Sequence, residues 1–273
     1  MTRLPRIAAL QMTSGLDVTA NLATARRLLA AARDAGACVA VLPENFAFMG
    51  RSEAERREVV ESAGSGPVQD AMAGAARGLG LWIIAGTTPI ALPDDTRPAN
   101  ACLVFDDRGH QVARYDKIHL FDVDLPGRDE GYRESANAAP GRAPVVVETP
   151  AGRVGLSVCY DLRFPELYRR LVADGAEILS VPAAFTAPTG RAHWDVLLRA
   201  RAVENLCYVV AAAQSGLHPN GRETNGDTLV ADFRGRVLRR RPRGSGVVVA
   251  EVDRAAQQRV RRSFPALSHR VLE

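Results

Sequence analysis

The chain has 273 residues, 47% hydrophobic and 24% charged, which is enough to bury a sizeable core and is the balance of an ordinary globular protein. Its apolar runs, such as Cys207 to Ala213, are far too short to cross a bilayer, so no membrane span is expected. A formal charge of +4 is too small to mark the whole chain as a nucleic-acid binder.

In chain order, Ile7 to Met12 reads as a short strand. The brief apolar run here has no cleavage-type ending, so no signal peptide is read and a cytoplasmic protein is expected. Leu22, Ala25, Leu28, Leu29 and Ala32 recur at helical spacing and predict a helix over 21–35. The run "CVAVLPE" at 38–44 predicts a strand ending in polar residues, and 67–78 a helix closed by Gly78 and Gly80. A strand is predicted over 81–88 and a hairpin over 101–117, turning at Asp107-Arg108-Gly109. The segment 119–141 fits no element; a loop this long in a compact domain is usually functional or disordered, and its place after Lys117 favours function. A second hairpin is predicted within 144–161, then a helix over 165–173, a strand over 177–185, a helix over 193–206 and a strand over 207–214. Strands around 228–233 and 246–252 complete the set. The basic run "RRRPR" at 239–243 reads better as a solvated hairpin tip than as a nucleic-acid patch, since no aromatic residues are interleaved. Helices alternating with strands, interrupted by hairpins, predict one α/β domain over 1–273, with two sheets packed together and helices outside.

The cysteines at 38, 102, 159 and 207 include no C-x-x-C pair, so neither a zinc site nor a disulfide framework is expected. Of the 35 lysines and arginines only Lys117 is a lysine. A chain that uses arginine everywhere else implies a task at 117 that a planar guanidinium cannot perform. Three predicted strands end on Glu44, Lys117 and Cys159, and α/β sheets gather their sites at the carboxyl ends of strands. Singly, each has a plainer reading: a surface charge, a salt-bridge partner of Asp116 or Asp122, a core thiol. Together, a carboxylate, an ammonium and a thiol placed alike point to nucleophilic catalysis.

The stretches "LPENFAFMG", "YDKIHLFDVDLPG", "YRESANAAPG", "GLSVCYDLRFPELYR", "AHWDVLLRARAVENLCYVVAAAQSG" and "FPALSHR" resemble the nitrilase superfamily of carbon–nitrogen hydrolases over nearly the whole chain. The resemblance is greatest to its deaminated-glutathione amidase branch, with omega-amidase as the near relative. It implies a four-layer α-β-β-α sandwich that pairs into an eight-layer homodimer, and no metal or cofactor. It places the Glu-Lys-Cys triad on Glu44, Lys117 and Cys159 and the supporting glutamate on Glu134. The implied reaction is hydrolysis of a terminal amide in a small carboxylate-bearing 2-oxo acid through a thioester. Glu44 acts there as general base and acid, and Lys117 with the Tyr160 backbone N–H holds the oxyanion while favouring the Cys159 anion. Competing readings are omega-amidase activity on 2-oxoglutaramate, nitrile or N-carbamoyl hydrolysis, a Cys-dependent acyltransferase and a non-catalytic scaffold. Arg163 is the candidate clamp for a substrate carboxylate, since guanidinium matches carboxylate geometry; a salt bridge to Asp161, Glu166 or a partner chain is the other reading. His119 either tunes Lys117 or makes a loop contact, and His193-Trp194 reads as structural. The chain departs from its relatives at Gly226-Asp227-Thr228 and at the following "FRG", where they often carry Gly-His-Ser and Pro-Trp-Gly.

Overall fold

A computed structural model describes residues 3–52, 54–124 and 131–271. The chain begins with β1 (Arg6–Gln11), α1 (Val18–Asp34), β2 (Val39–Val41), α2 (Pro67–Leu79), β3 (Trp82–Ile84), β4 (Thr88–Ile90), β5 (Ala99–Phe105) and β6 (Gln111–Asp116). A small hairpin of β7 (Asp122–Asp124) and β8 (Gly131–Arg133) follows, so the described ends of the long loop are paired rather than irregular. Next come β9 (Val146–Thr149), β10 (Gly152–Leu156), α3 (Pro165–Ala173), β11 (Ile178–Ala183), α4 (Ala187–Asn205) and β12 (Tyr208–Ala213). The last elements are β13 (Ser215–Leu217), β14 (Glu223–Asn225), β15 (Thr228–Ala231), β16 (Val237–Arg241), β17 (Gly246–Glu251) and α5 (Arg254–Ser263).

Two mixed sheets face each other. One runs β17-β1-β2-β3-β5-β4 with β6 also paired to β5, and β1, β2 and β3 are parallel. The other runs β16-β15-β12-β11-β10-β9, with β10, β11 and β12 parallel. Alternation along β1 shows how the layers form: Ile7 and Ala9 point into the core between the sheets, Ala8 and Leu10 into the core beneath α1 and α2. Burial on both faces is why these strands read as unbroken apolar runs. The helices α3 and α4 cover the outer face of the second sheet, where Tyr168, Leu171, Trp194 and Leu198 are buried. The result is the expected α-β-β-α sandwich. The sheets are tied at the ends of β1 and β12: Gln214 donates from Nε2 to Ser14 Oγ at 2.8 Å and to the Glu44 carbonyl at 3.0 Å.

Several predicted boundaries move for identifiable reasons. The first helix starts earlier because Asp17 caps it, accepting the Ala20 N–H at 3.0 Å. The strand over 81–88 is two strands, broken at Gly86, whose φ of 44° and contact with the Pro43 carbonyl leave no room for a Cβ. The helix predicted from His193 begins at Ala187; Gly190, a poor helix former, sits there because a Cβ would lie 2.3 Å from Asn225 Cβ. The basic run is not a hairpin tip, since β16 and β17 belong to different sheets and 242–245 carries the chain between them. Within it Arg240 is anchored, 2.5 Å from Asp227 and 3.1 Å from Asp195. The terminal helix α5 was not predicted; it buries only Gln257, so it shows little apolar periodicity.

Candidate active site

Glu44, Lys117, Glu134 and Cys159 meet in one cleft of about 510 Å³ at the carboxyl ends of the strands. Glu44 follows β2, Lys117 directly follows β6, and Glu134 opens a 3-10 turn after β8. Lys117 Nζ lies 2.8 Å from Glu44 Oε1 and 2.8 Å from Glu134 Oε2. All three are nearly sealed, with exposures of 1% for Lys117, 4% for Glu44 and 7% for Glu134, so solvent screens these pairs little. The Asn100 side-chain amide donates to both carboxylates at 3.2 Å. The Ala184 N–H donates to Glu44 Oε2 at 3.0 Å, and the Phe121 N–H to Glu134 Oε2 at 2.8 Å. β10 stops at Leu156, earlier than the sequence pattern implies, and Cys159 opens the 3-10 turn Cys159–Arg163 with φ at 49°. That left-handed backbone is strained for a residue with a Cβ, and such strain clusters at functional turns. It turns the thiol out of the sheet and into the cleft that Glu44 and Lys117 also line.

The description of a carbon–nitrogen hydrolase domain matches residues 6–262. The chain belongs to the carbon–nitrogen hydrolase family. It is 40% identical over 264 residues to a deaminated glutathione amidase of Yersinia enterocolitica, covering 96% of this chain and 92% of that one. A protein of the same name from Synechocystis is 42% identical over 267 residues, 97% of each. Among solved structures, the Caenorhabditis elegans NitFhit protein superposes with a TM-score of 0.91 at 37% identity, over 99% of this chain and 66% of that longer one.

In this hydrolase the charges settle as follows. Burial disfavours the Lys117 ammonium, but Glu134 and Glu44 outweigh it and raise its pKa, so it stays charged. Burial also pushes the Glu44 carboxyl up, and Lys117 more than reverses this, leaving it below its ordinary value. The Cys159 thiol goes well above its ordinary value, first through burial and then through the Glu44 charge. Lys117 pulls the other way, favouring the anion as the sequence implied, but burial and Glu44 outweigh it. The resting pair is a neutral thiol beside a carboxylate.

Arg163 lines the cleft, and neither Asp161 nor Glu166 pairs with it. It lies 5.4 Å over the Phe185 ring and 5.8 Å over the Tyr160 ring, and its Nη1 is 3.2 Å from His193 Nδ1. His119 does not touch Lys117; it stacks on Phe164 at 3.7 Å and meets Asp161 Oδ1 at 2.7 Å. Trp194 is structural, buried with its Nε1 donating to the Asp227 carbonyl at 2.8 Å. Asp227, in the departing Gly226-Asp227-Thr228 segment, pairs with Arg240, and among the described residues none of these three lines the cleft.

Sequence reasoning missed Asn100, Arg222 and Asp161. Asn100 and Arg222 carry no local signal, being brought in by β5 and the β13–β14 turn. Asp161 had one, a carboxylate two residues after the thiol on a turn. It is fully buried and accepts from Tyr115 Oη at 2.7 Å, the Val158 N–H at 2.8 Å and the His119 N–H at 3.1 Å. It thus ties the cysteine turn to both sides of Lys117. Removing the acceptor strands buried donors at about 1–3 kcal/mol each. Asp161→Ala is expected to lose about 3 kcal/mol or more in a urea titration, and Asp161→Asn less. A loss below about 1 kcal/mol in the alanine variant would show that the turn holds without it.

Proposed function

We propose that this hydrolase cleaves an amide C–N bond in a small 2-oxo acid bearing a free carboxylate, with deaminated glutathione as the substrate, through a thioester on Cys159. The observation that carries the chemistry is a thiol sharing one cleft with Glu44 and with an ammonium clamped by two carboxylates. The substrate rests on the relatives' activity and on the placement of Arg163.

In the proposed reaction Glu44 takes the thiol proton as sulfur bonds to the amide carbon, which offsets the raised thiol pKa. Lys117 has three N–H bonds and commits two to Glu44 and Glu134, leaving one for the oxyanion. The Tyr160 N–H lies in the first turn of the 3-10 segment, where such groups lack an intrahelical acceptor, and supplies a second donor. Collapse breaks the C–N bond, and Glu44 returns its proton to the leaving amine. Water then gives a proton to Glu44 and attacks the thioester. The C–S bond breaks, the proton returns to sulfur, and the acid departs. Glu134 orients Lys117, and Arg163 holds the 2-oxo acid carboxylate.

We further propose that residues 1–273 act as one hydrolase domain and as a cytoplasmic homodimer. No helix among the described residues is long and apolar enough to cross a membrane, and the four cysteines are unpaired. The outer face of α4 exposes Val196 and Val203 two turns apart, and Phe264 is exposed beyond α5, apolar surface that suits a second copy.

An amine- and ammonia-release panel of 2-oxo acid amides, nitriles and N-carbamoyl compounds tests the reaction. The amides should be turned over preferentially, and Cys159→Ala should abolish release with circular dichroism unchanged; nitrile or carbamoyl preference would overturn the reading. Glu44 should stay ionised below 4.5 and Cys159 protonated above 9.0, their ordinary values, so kcat/KM should be level between these limits and fall on the acid side as Glu44 takes a proton. A steep rise from pH 7 to 9 would identify free thiolate as the nucleophile instead. Light scattering at micromolar concentration should give twice the chain mass, and a monomer would remove the dimer.

A further inference from the structure

Four arginines line the cleft, and they are not equivalent. Arg133 is neutralised by Asp124 at 2.8 Å, and Arg56 donates to the Asn100 side-chain carbonyl at 2.9 Å. Arg163 and Arg222 have no carboxylate partner among the described residues. Arg222 reaches in from the turn between β13 and β14. Its guanidinium lies 5.0 Å over the Tyr132 ring and donates from Nη2 to the Ala184 carbonyl. Its Nε is buried and has no hydrogen-bond partner. A buried guanidinium N–H with no protein acceptor is costly to leave unpaired, and at the wall of a binding cleft it marks the place of a ligand acceptor.

The side of the cleft follows from Ala184. Its N–H holds Glu44 Oε2 and its carbonyl holds Arg222, so one residue sets Arg222 beside Glu44. Glu44 protonates the leaving amine in the proposed reaction, which puts Arg222 on the leaving side. Arg163 belongs to the cysteine turn, and Cys159 carries the acyl group in the proposed reaction, which assigns Arg163 to the acyl side. We propose that Arg222 forms a second carboxylate site, one that selects amides whose leaving amine itself carries a carboxylate. This rests on the amide-hydrolase reading above and narrows it: the preferred substrate is a dianion with one carboxylate on each side of the scissile bond. Deaminated glutathione has that charge pattern, and 2-oxoglutaramate, which releases ammonia, does not. The guanidinium charge beside Glu44 also helps to hold that carboxyl low, an effect shared by every substrate and so unable to discriminate among them.

The test measures binding to Cys159→Ala protein, which does not turn over. The probes are 2-oxoglutaryl-glycine and its glycinamide, which differ only in the leaving-side carboxylate. The diacid should bind at least about tenfold more tightly than the glycinamide, and adding Arg222→Gln should abolish that ratio while changing glycinamide affinity by less than about threefold. Comparing two ligands on one protein cancels any loss of folded material. Equal affinity for the two probes before the Arg222 change, an unchanged ratio after it, or no detectable diacid binding would each overturn the site. Wild-type turnover of the same diacid is a separate result: its failure removes the amidase reading, whereas a lost or kept ratio speaks only to Arg222.

Discussion

The Lys117 ammonium, sealed between Glu44 and Glu134, is the interaction around which the rest of the site is arranged. A buried charge is tolerable only when it is paired and its remaining donors and acceptors are satisfied. Here one cation meets two anions, so the excess charge is negative, and neutral dipoles absorb it. The Asn100 amide bridges both carboxylates, the Ala184 N–H takes Glu44 and the Phe121 N–H takes Glu134. These donors come from both sheets and the long loop, which fixes how the sheets align at this end. An arginine at 117 would be longer and planar, and could not sit as a point charge between carboxylates that neutral donors already hold. This is a physical reason for a lone lysine in a chain otherwise built with arginine.

That arrangement constrains the thiol. A cation near a cysteine ordinarily lowers its pKa, and Lys117 pulls that way here, more weakly than its other surroundings push up. Burial and Glu44 then leave Cys159 protonated. The turn makes this workable by bringing the thiol into the cleft that holds Glu44, a carboxylate kept ionised there. Asp161 completes the connection by joining the cysteine turn to Tyr115 and His119, on either side of Lys117. Nucleophile and ammonium are therefore positioned by one buried carboxylate that touches neither.

The layers of the fold were legible because both sheets are buried on both faces. Their apolar strands and the helical stripe of α1 stand out without knowledge of the partners. Glu44, Lys117 and Cys159 were legible as strand ends, and the resemblance supplied Glu134. What escaped depends on distance in the chain. Asn100 is an ordinary strand residue until Glu44 and Glu134 are placed around it. The pairing of β16 and β17 with different sheets is a long-range choice that a short turn disguises as a hairpin. The start of α4 was hidden by Pro188 and Gly190, which read as breakers; one is the normal first-turn proline and the other makes room for Asn225.

The same accounting of charge explains how the cleft can present positive potential around a negatively charged centre. Lys117 contributes none outward, since it is overcompensated within the site. The field felt by an incoming ligand comes from Arg163 and Arg222, each resting on aromatic rings rather than on a carboxylate. Aromatic faces hold a guanidinium in place without neutralising it, leaving its charge available. A carboxylate in either place would cancel that charge and close the cleft to anions. Arginine on aromatic supports lies at the walls and lysine locked between carboxylates at the floor, so the guanidinium charge stays open to the cleft while the ammonium beneath it is fully paired.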